Sequence, residues 1–159
     1  MSRESCVNLV NGQGRVSLTN DGDGMTNIEL YNEAQKLDLP NFKYFMSNEL
    51  VKASPDDKEC GIVNLDDSDG KGTHHICYWL DRKHGDKFCF DSFGVAPPTE
   101  LIDYLKKFDK QNILYSTYII QELNETNCSE LSLYVLHELN KGNKFTDTVL
   151  DVYRRNTKR

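Results

Sequence analysis

The sequence has no uninterrupted apolar run near the ~20 residues that a membrane-spanning helix needs, and its polar start, Met1-Ser2-Arg3-Glu4-Ser5, lacks the apolar core of a secretory leader. A non-secreted protein with no membrane partner is expected. Paired cysteines are missing as well. The five cysteines stand at 6, 60, 77, 89 and 128, an odd number with no CxxC spacing. Neither a disulfide framework nor a zinc ribbon is indicated, and at least one thiol stays free. A basic surface is also lacking: 19 Lys and Arg stand against 25 Asp and Glu, for a net charge of −6. Non-specific nucleic-acid binding draws on clustered positive charge, so the balance argues against a dominant phosphate-binding face. Only the end, Arg154-Arg155-Asn156-Thr157-Lys158-Arg159, is basic, and residues 154–159 read as a solvated tail.

What is present fits one domain. A chain of this length buries about 68–70% of its unfolded surface, enough for a real core. Residues 1–24 are polar, rich in Gly and Asn and without periodicity, which predicts a flexible extension. Order is expected from 25 to 153. Thr26-Asn27-Ile28-Glu29 fits a capping box, with Met25 and Leu30 placed as a hydrophobic staple, and Leu39-Pro40 should end that helix. The stretch 49–69 concentrates acid (Glu49, Asp56, Asp57, Glu59, Asp66, Asp67, Asp69) and reads as a solvated loop around the short apolar run 60–65.

Strands are expected at 61–65, 73–80, 87–93 and 113–120, from their β-branched and aromatic content. Pro97-Pro98-Thr99-Glu100 opens a helix with an apolar stripe of Leu101, Ile102, Leu105 and Phe108. Another helix should run from Cys128 to Lys141, capped by Asn127 and stopped by Gly142, followed by a short one near 146–153. The fold class is α+β: a mixed, mostly antiparallel central sheet packed between helices.

The hairpin 73–93 carries the first chemistry. A four-residue loop at 81–84 would set Leu80 against Gly85 and His74 against Asp91, and any even loop keeps both on one face. Facing Cβ atoms lie ~4.5–5.5 Å apart, so the carboxylate can orient the imidazole and leave its second nitrogen as a base. Taken alone, such a pair is more often structural. Cys128 supplies a nucleophile: at a helix start, unpaired N–H groups and the helix dipole favour the thiolate. Cys89 shares the face of His74 but sits mid-strand between Phe88 and Phe90, as a small core residue would. Parity alone would also allow His74, Cys89 and Asp91 to share a metal, but no fourth ligand or second shell is visible, so no metal is expected, and no cofactor is implied. Gln121, at a strand end seven residues before Cys128, can point its amide at an oxyanion near the sulfur, beside the backbone N–H at the helix start.

Gly72-Thr73-His74, Phe90-Asp91-Ser92-Phe93-Gly94 followed by Pro97-Pro98, and Gln121 with Cys128 opening a helix together resemble the adenain family of adenovirus-type maturation proteases. The look is that of members encoded by virophages and Polinton-type elements. Pro40-Asn41-Phe42 and the stretch 60–67 also resemble family segments, so the likeness spans about residues 25–153. It implies an adenain/papain-like fold and a Cys-His-Asp cysteine endopeptidase, with Gln121 in the oxyanion hole. The implied substrates are viral capsid or other structural precursors cut at Gly-containing sites during virion maturation, in the virion and the host cytoplasm. A monomer is expected.

The sequence departs from the family at two positions: His75 stands where Trp usually follows the catalytic His, and Ser129 where Gly usually follows the nucleophile. The adenoviral member uses DNA and a peptide as activators, but the acidity of this chain argues against DNA activation here. Val10-Asn11-Gly12-Gln13-Gly14 loosely resembles a family cleavage site, which suggests self-trimming between Gln13 and Gly14. Two alternatives stay open: a protease of ubiquitin-like modifiers, which shares the His-Asp-Gln-Cys order, and a non-catalytic virion binding or structural protein of the same fold.

Overall fold

The computed structural model describes residues 25–65, 74–120 and 127–157. The extension 1–24, with its Gln13–Gly14 site, and Gln121 lie outside these residues. Helix α1 (Asn27–Lys36) begins as its sequence requires. The Thr26 hydroxyl accepts from the Glu29 N–H at 3.1 Å and the Glu29 carboxylate accepts from the Thr26 N–H at 2.9 Å, while Met25 and Leu30 are buried together. The helix closes at Leu37, ahead of Pro40, and the chain turns at Asp38, where φ is 56°.

Five strands follow in sequential spatial order: β1 (Phe42–Met46), β2 (Lys58–Asn64), β3 (His75–Asp81), β4 (Asp86–Phe90) and β5 (Leu114–Tyr115). The three central strands are antiparallel, and each edge strand runs parallel to its neighbour, so the sheet is mixed. Strand β1 has no counterpart among the expected strands, since Phe-Lys-Tyr-Phe-Met has neither β-branched residues nor alternation, and all five side chains are half-buried. The strand expected at 113–120 shrinks to two paired residues, with Leu114, Tyr115, Tyr118 and Ile119 exposed.

Helices cover both faces of the sheet. Cys60, Ile62, Cys77, Trp79 and Phe90 pack against α1, α3 (Cys128–Asn140) and α4 (Phe145–Thr157). On the other face Val63, Ile76, Tyr78, Leu80 and Cys89 pack against α2 (Thr99–Leu105) and Leu50 of a 3₁₀ turn, Ser47–Lys52. Strand β3 is therefore buried along its whole length, as a central strand covered on both sides should be. The α2 stripe is narrower than expected, because the helix ends at Leu105 and Phe108 is exposed. Helix α4 extends past its expected end, so Arg154 and Arg155 form its last turn instead of a tail. Their charge there suits the negative end of the helix dipole.

The acidic stretch is not all solvated loop. Glu59 lies in β2 with its side chain fully buried, accepting from Tyr78 Oη at 2.5 Å, Tyr104 Oη at 2.6 Å, Lys43 Nζ at 2.7 Å and the Asp56 N–H at 2.6 Å. On β4 the buried Lys87 ammonium pairs with the Asp109 carboxylate and donates to the Asp109 carbonyl at 3.0 Å, tying the segment after α2 to the sheet. Among the described residues, no helix is long and apolar enough to cross a membrane.

Candidate active site

The β3–β4 hairpin turns through Arg82–Gly85, with Asp81 facing Asp86. This register is two residues from the expected one, and the even shift preserves the face of every side chain. The position opposite His74 thus becomes Phe93, whose ring centroid lies 4.5 Å from that of the imidazole. Asp91 becomes the diagonal neighbour of His74, and its Oδ1 stands 2.8 Å from His74 Nε2.

Local structure holds Asp91 in place. Its Oδ1 also accepts from the Phe93 N–H at 2.8 Å, and its carbonyl accepts from the Gly94 N–H at 2.8 Å. Gly94 has φ 71°, and a Cβ there would meet the Thr117 carbonyl at 2.6 Å. The turn therefore needs glycine both for its backbone and for the close passage of the segment after β5. That segment is pinned by the Ile120 N–H, which donates to the Ser92 carbonyl at 2.8 Å.

Cys128 is the first residue of α3 and is almost fully buried. The helix begins there without the expected side-chain cap: the Asn127 side chain makes no capping hydrogen bond, and its carbonyl accepts the first helical bond from Leu131 at 2.9 Å. The Cys128 sulfur accepts from the backbone N–H of His75 at 3.5 Å. His74 Nδ1 is buried and makes no hydrogen bond of its own, so one ring nitrogen is committed to Asp91 and the other is available. Burial pulls the His74 pKa down, but the Asp91 carboxylate and the nearby Cys128 sulfur outweigh it, leaving the imidazole above its ordinary 6.5. The structure thus gathers His74, Asp91 and Cys128 from three separate segments.

The other described thiols have a different setting. Burial pushes Cys60 up to about 12 and also raises Cys77 and Cys89 above the ordinary thiol range. All three are packed in the core, as expected for Cys89. Among the described residues, no group of three or more His, Cys, Asp or Glu could hold a metal ion.

Two neighbours of the site have surroundings that the sequence does not disclose. His75 is buried, with its Nε2 3.2 Å from the Tyr44 hydroxyl and 3.4 Å from the Asn64 amide nitrogen. Only its parity, opposite to that of His74, hints at a separate environment. Glu130, two residues past Cys128, is also buried, and the Ser129 hydroxyl donates to it at 3.4 Å. Burial chiefly, with repulsion from Cys128, raises its pKa from 4.5 to about 7.

Glu130 carries a testable pH dependence. Its folded pKa lies above its unfolded one, so between about 4.5 and 7 the folded state binds more protons and stability falls as pH rises. The shift corresponds to a change on the order of 3 kcal/mol. Urea unfolding across that window should show a steeper loss in the wild type than in Glu130→Gln, which keeps only the dependence of the other groups; parallel profiles would contradict it.

Neither a family model nor a curated protein matches the chain by sequence. Solved structures do match its fold. A crystal structure of the selenomethionine form of the ASFV pS273R protease superposes with a TM-score of 0.56 and 17% identity, over 86% of this chain and 68% of that one. A second crystal structure of the same protease gives 0.52 and 16%, over 82% of this chain and 64% of that one. The chain therefore has the α+β fold of a viral protease and spans about two thirds of that protease's length.

Proposed function

We propose that this protein is a cysteine endopeptidase of the adenain type, acting on viral structural precursors at Gly-containing sites during particle maturation. The observation that carries the reading is the His74–Asp91 pair at 2.8 Å, with the second imidazole nitrogen left open in the neighbourhood of a cysteine that begins a helix. The fold shared with a viral protease supports it.

In this reading Asp91 fixes the imidazole through Nε2, and Nδ1 takes the proton from the Cys128 thiol. The thiolate attacks a peptide carbonyl, forming the C–S bond and a tetrahedral oxyanion. The Cys128 backbone N–H and Gln121 hold that oxyanion. His74 then protonates the leaving amine as the C–N bond breaks. Water, deprotonated by His74, opens the thioester, releasing the acid and restoring the thiol. Glu130, protonated up to about pH 7, adds no charge to repel the thiolate below that pH. Virion and host cytoplasm are the proposed locations, with protein substrates and no DNA activator.

The test is cleavage by the full chain of capsid precursors, alongside a panel of ubiquitin-like modifier fusions, with wild type and Gln121→Ala compared. Cleavage of precursors in preference to fusions is expected, with turnover of Gln121→Ala reduced by about 10²–10³ but measurable. Preference for the fusions would favour the modifier protease, and failure to cut any substrate would overturn the reading.

A further inference from the structure

The environment of His75 extends this reading of Cys128 as nucleophile and rests on it. His75 faces Asn64 across the β2–β3 ladder, and the flanking bond runs from the Leu65 N–H to the His74 carbonyl at 2.9 Å. Asn64 and His75 are thus a non-hydrogen-bonded pair of an antiparallel ladder. Two consequences follow from that geometry. Their side chains are drawn close, and the His75 N–H is turned away from β2 toward the β4 side. There the β3–β4 ladder ends at Cys77 and Phe90, two residues short of His75. Where a β4 carbonyl would have continued the ladder, the Cys128 sulfur accepts the bond instead, at 3.5 Å.

The His75 side chain is fixed from the opposite direction. Met46 faces Asn64 in the β1–β2 register, which puts Tyr44 one pleat away on the same face. The Asn64 amide donates to the Tyr44 hydroxyl at 3.2 Å, and that hydroxyl lies 3.2 Å from His75 Nε2. Burial raises the Tyr44 phenol above its ordinary range, so it keeps its one proton, which can go to His75 Nε2 or to the Met46 sulfur 3.8 Å away. Nε2 thus lies within hydrogen-bonding distance of both the Tyr44 hydroxyl and the Asn64 amide, two groups able to donate to it.

We propose that Tyr44, Asn64 and His75 form a positioning device for the nucleophile: the side-chain network locks His75 so that its backbone N–H stays trained on the Cys128 sulfur and stabilises the thiolate. A hydrogen bond to the charged form of a group favours that form, and a bond to an ionised acceptor is stronger than one to a neutral acceptor. Residues on β1 and β2, remote from the His74–Asp91 pair in sequence, thereby tune the same sulfur. His75, one of the two positions at which the sequence departs from the adenain pattern, is the central member of the network.

The test is peptide-resolved alkylation of Cys128 by iodoacetamide in the full chain, from about pH 5 to 9, since only the thiolate reacts. Wild type, Tyr44→Phe, His75→Leu and His75→Gln are compared, with far-UV circular dichroism confirming that each is folded. Tyr44→Phe deletes only the donor hydroxyl, and His75→Gln keeps an acceptor near the position of Nε2. Tyr44→Phe and His75→Leu should each slow Cys128 alkylation near pH 6 by about tenfold, the thiolate fraction lost with one unit of pKa, and leave the alkaline plateau unchanged. His75→Gln should retain most of the wild-type rate. Superimposable profiles for Tyr44→Phe, His75→Leu and wild type would overturn the positioning role alone. An equal loss in His75→Gln would also overturn it, because bulk and not hydrogen bonding would then be the cause. Sluggish Cys128 labelling in the wild type would overturn both this inference and the reading of the site on which it rests.

Discussion

Cys128→Ala is expected to retain no measurable peptidase activity while remaining folded. In the proposed mechanism the substitution removes the atom that forms the acyl bond, and loss of the nucleophile in a comparable catalytic triad costs on the order of 10⁶ in turnover. None of the other described thiols is placed to substitute: Cys60, Cys77 and Cys89 are packed in the core with their thiols raised well above the physiological range. The structural cost is small. One sulfur is lost, with the bond it accepts from His75 and its interaction with His74, at about 1 kcal/mol for each hydrogen bond, and alanine favours the helix that follows. Steady-state assays beside a thermal melt separate the two effects. Full activity in a folded Cys128→Ala would place the nucleophile elsewhere, and unfolding would show that the cysteine is structural. An inactive, folded variant should still bind its substrate, which makes it a trap for identifying that substrate.

Glu59→Ala should cause a severe loss of stability, larger than that of Cys128→Ala or Glu130→Gln, without touching the site. Its carboxylate takes hydrogen bonds from two tyrosines, a lysine and a backbone N–H, from a position fully shielded from water. Truncation takes from the buried phenols of Tyr78 and Tyr104 and from the Asp56 N–H the carboxylate they share, and leaves Lys43 with the exposed Asp56 and the Tyr104 hydroxyl at 3.4 Å. Breaking a buried ion pair from one side typically costs 3–5 kcal/mol, or roughly a third of what holds an ordinary domain together. Tyr78 is also held above its normal pKa, by burial first and by Glu59 second, so it cannot ionise to compensate. Urea denaturation measures the loss. A change below about 1 kcal/mol would mean that water replaces the carboxylate.

Much of the site is legible in the sequence because it depends on short-range rules. The Thr26 capping box, the hairpin around Arg82–Gly85 and the helix start at Cys128 are each set by a few neighbouring residues. The hairpin register differs by two from the one the sequence suggests, yet His74 and Asp91 still meet, because strand parity survives an even slip. The features that stay hidden depend on partners distant in sequence. Strand β1 exists because β2 offers it a parallel edge, although its own residues lack a strand pattern. Glu59 reads as one acid among many until Tyr78, Tyr104 and Lys43 converge on it, and Lys87 is an ordinary strand lysine until Asp109 folds back. His75 shows only its parity; Tyr44, 31 residues earlier, supplies its partner.

The overhang of β3 beyond β4 also bears on when the protein becomes active. The hairpin that carries His74 and Asp91 spans fewer than twenty residues and can close early, since local pairings form faster than distant ones. The Cys128 sulfur reaches His75 across 53 positions of sequence, and only once α3 has docked against the sheet. On the proposed function, a chain whose hairpin had closed before α3 docked would hold an oriented histidine with no nucleophile beside it, and would be unable to cut itself or its neighbours. The expected outcome in refolding experiments is that the peptidase activity proposed above returns with the burial of α3 and lags behind formation of the sheet.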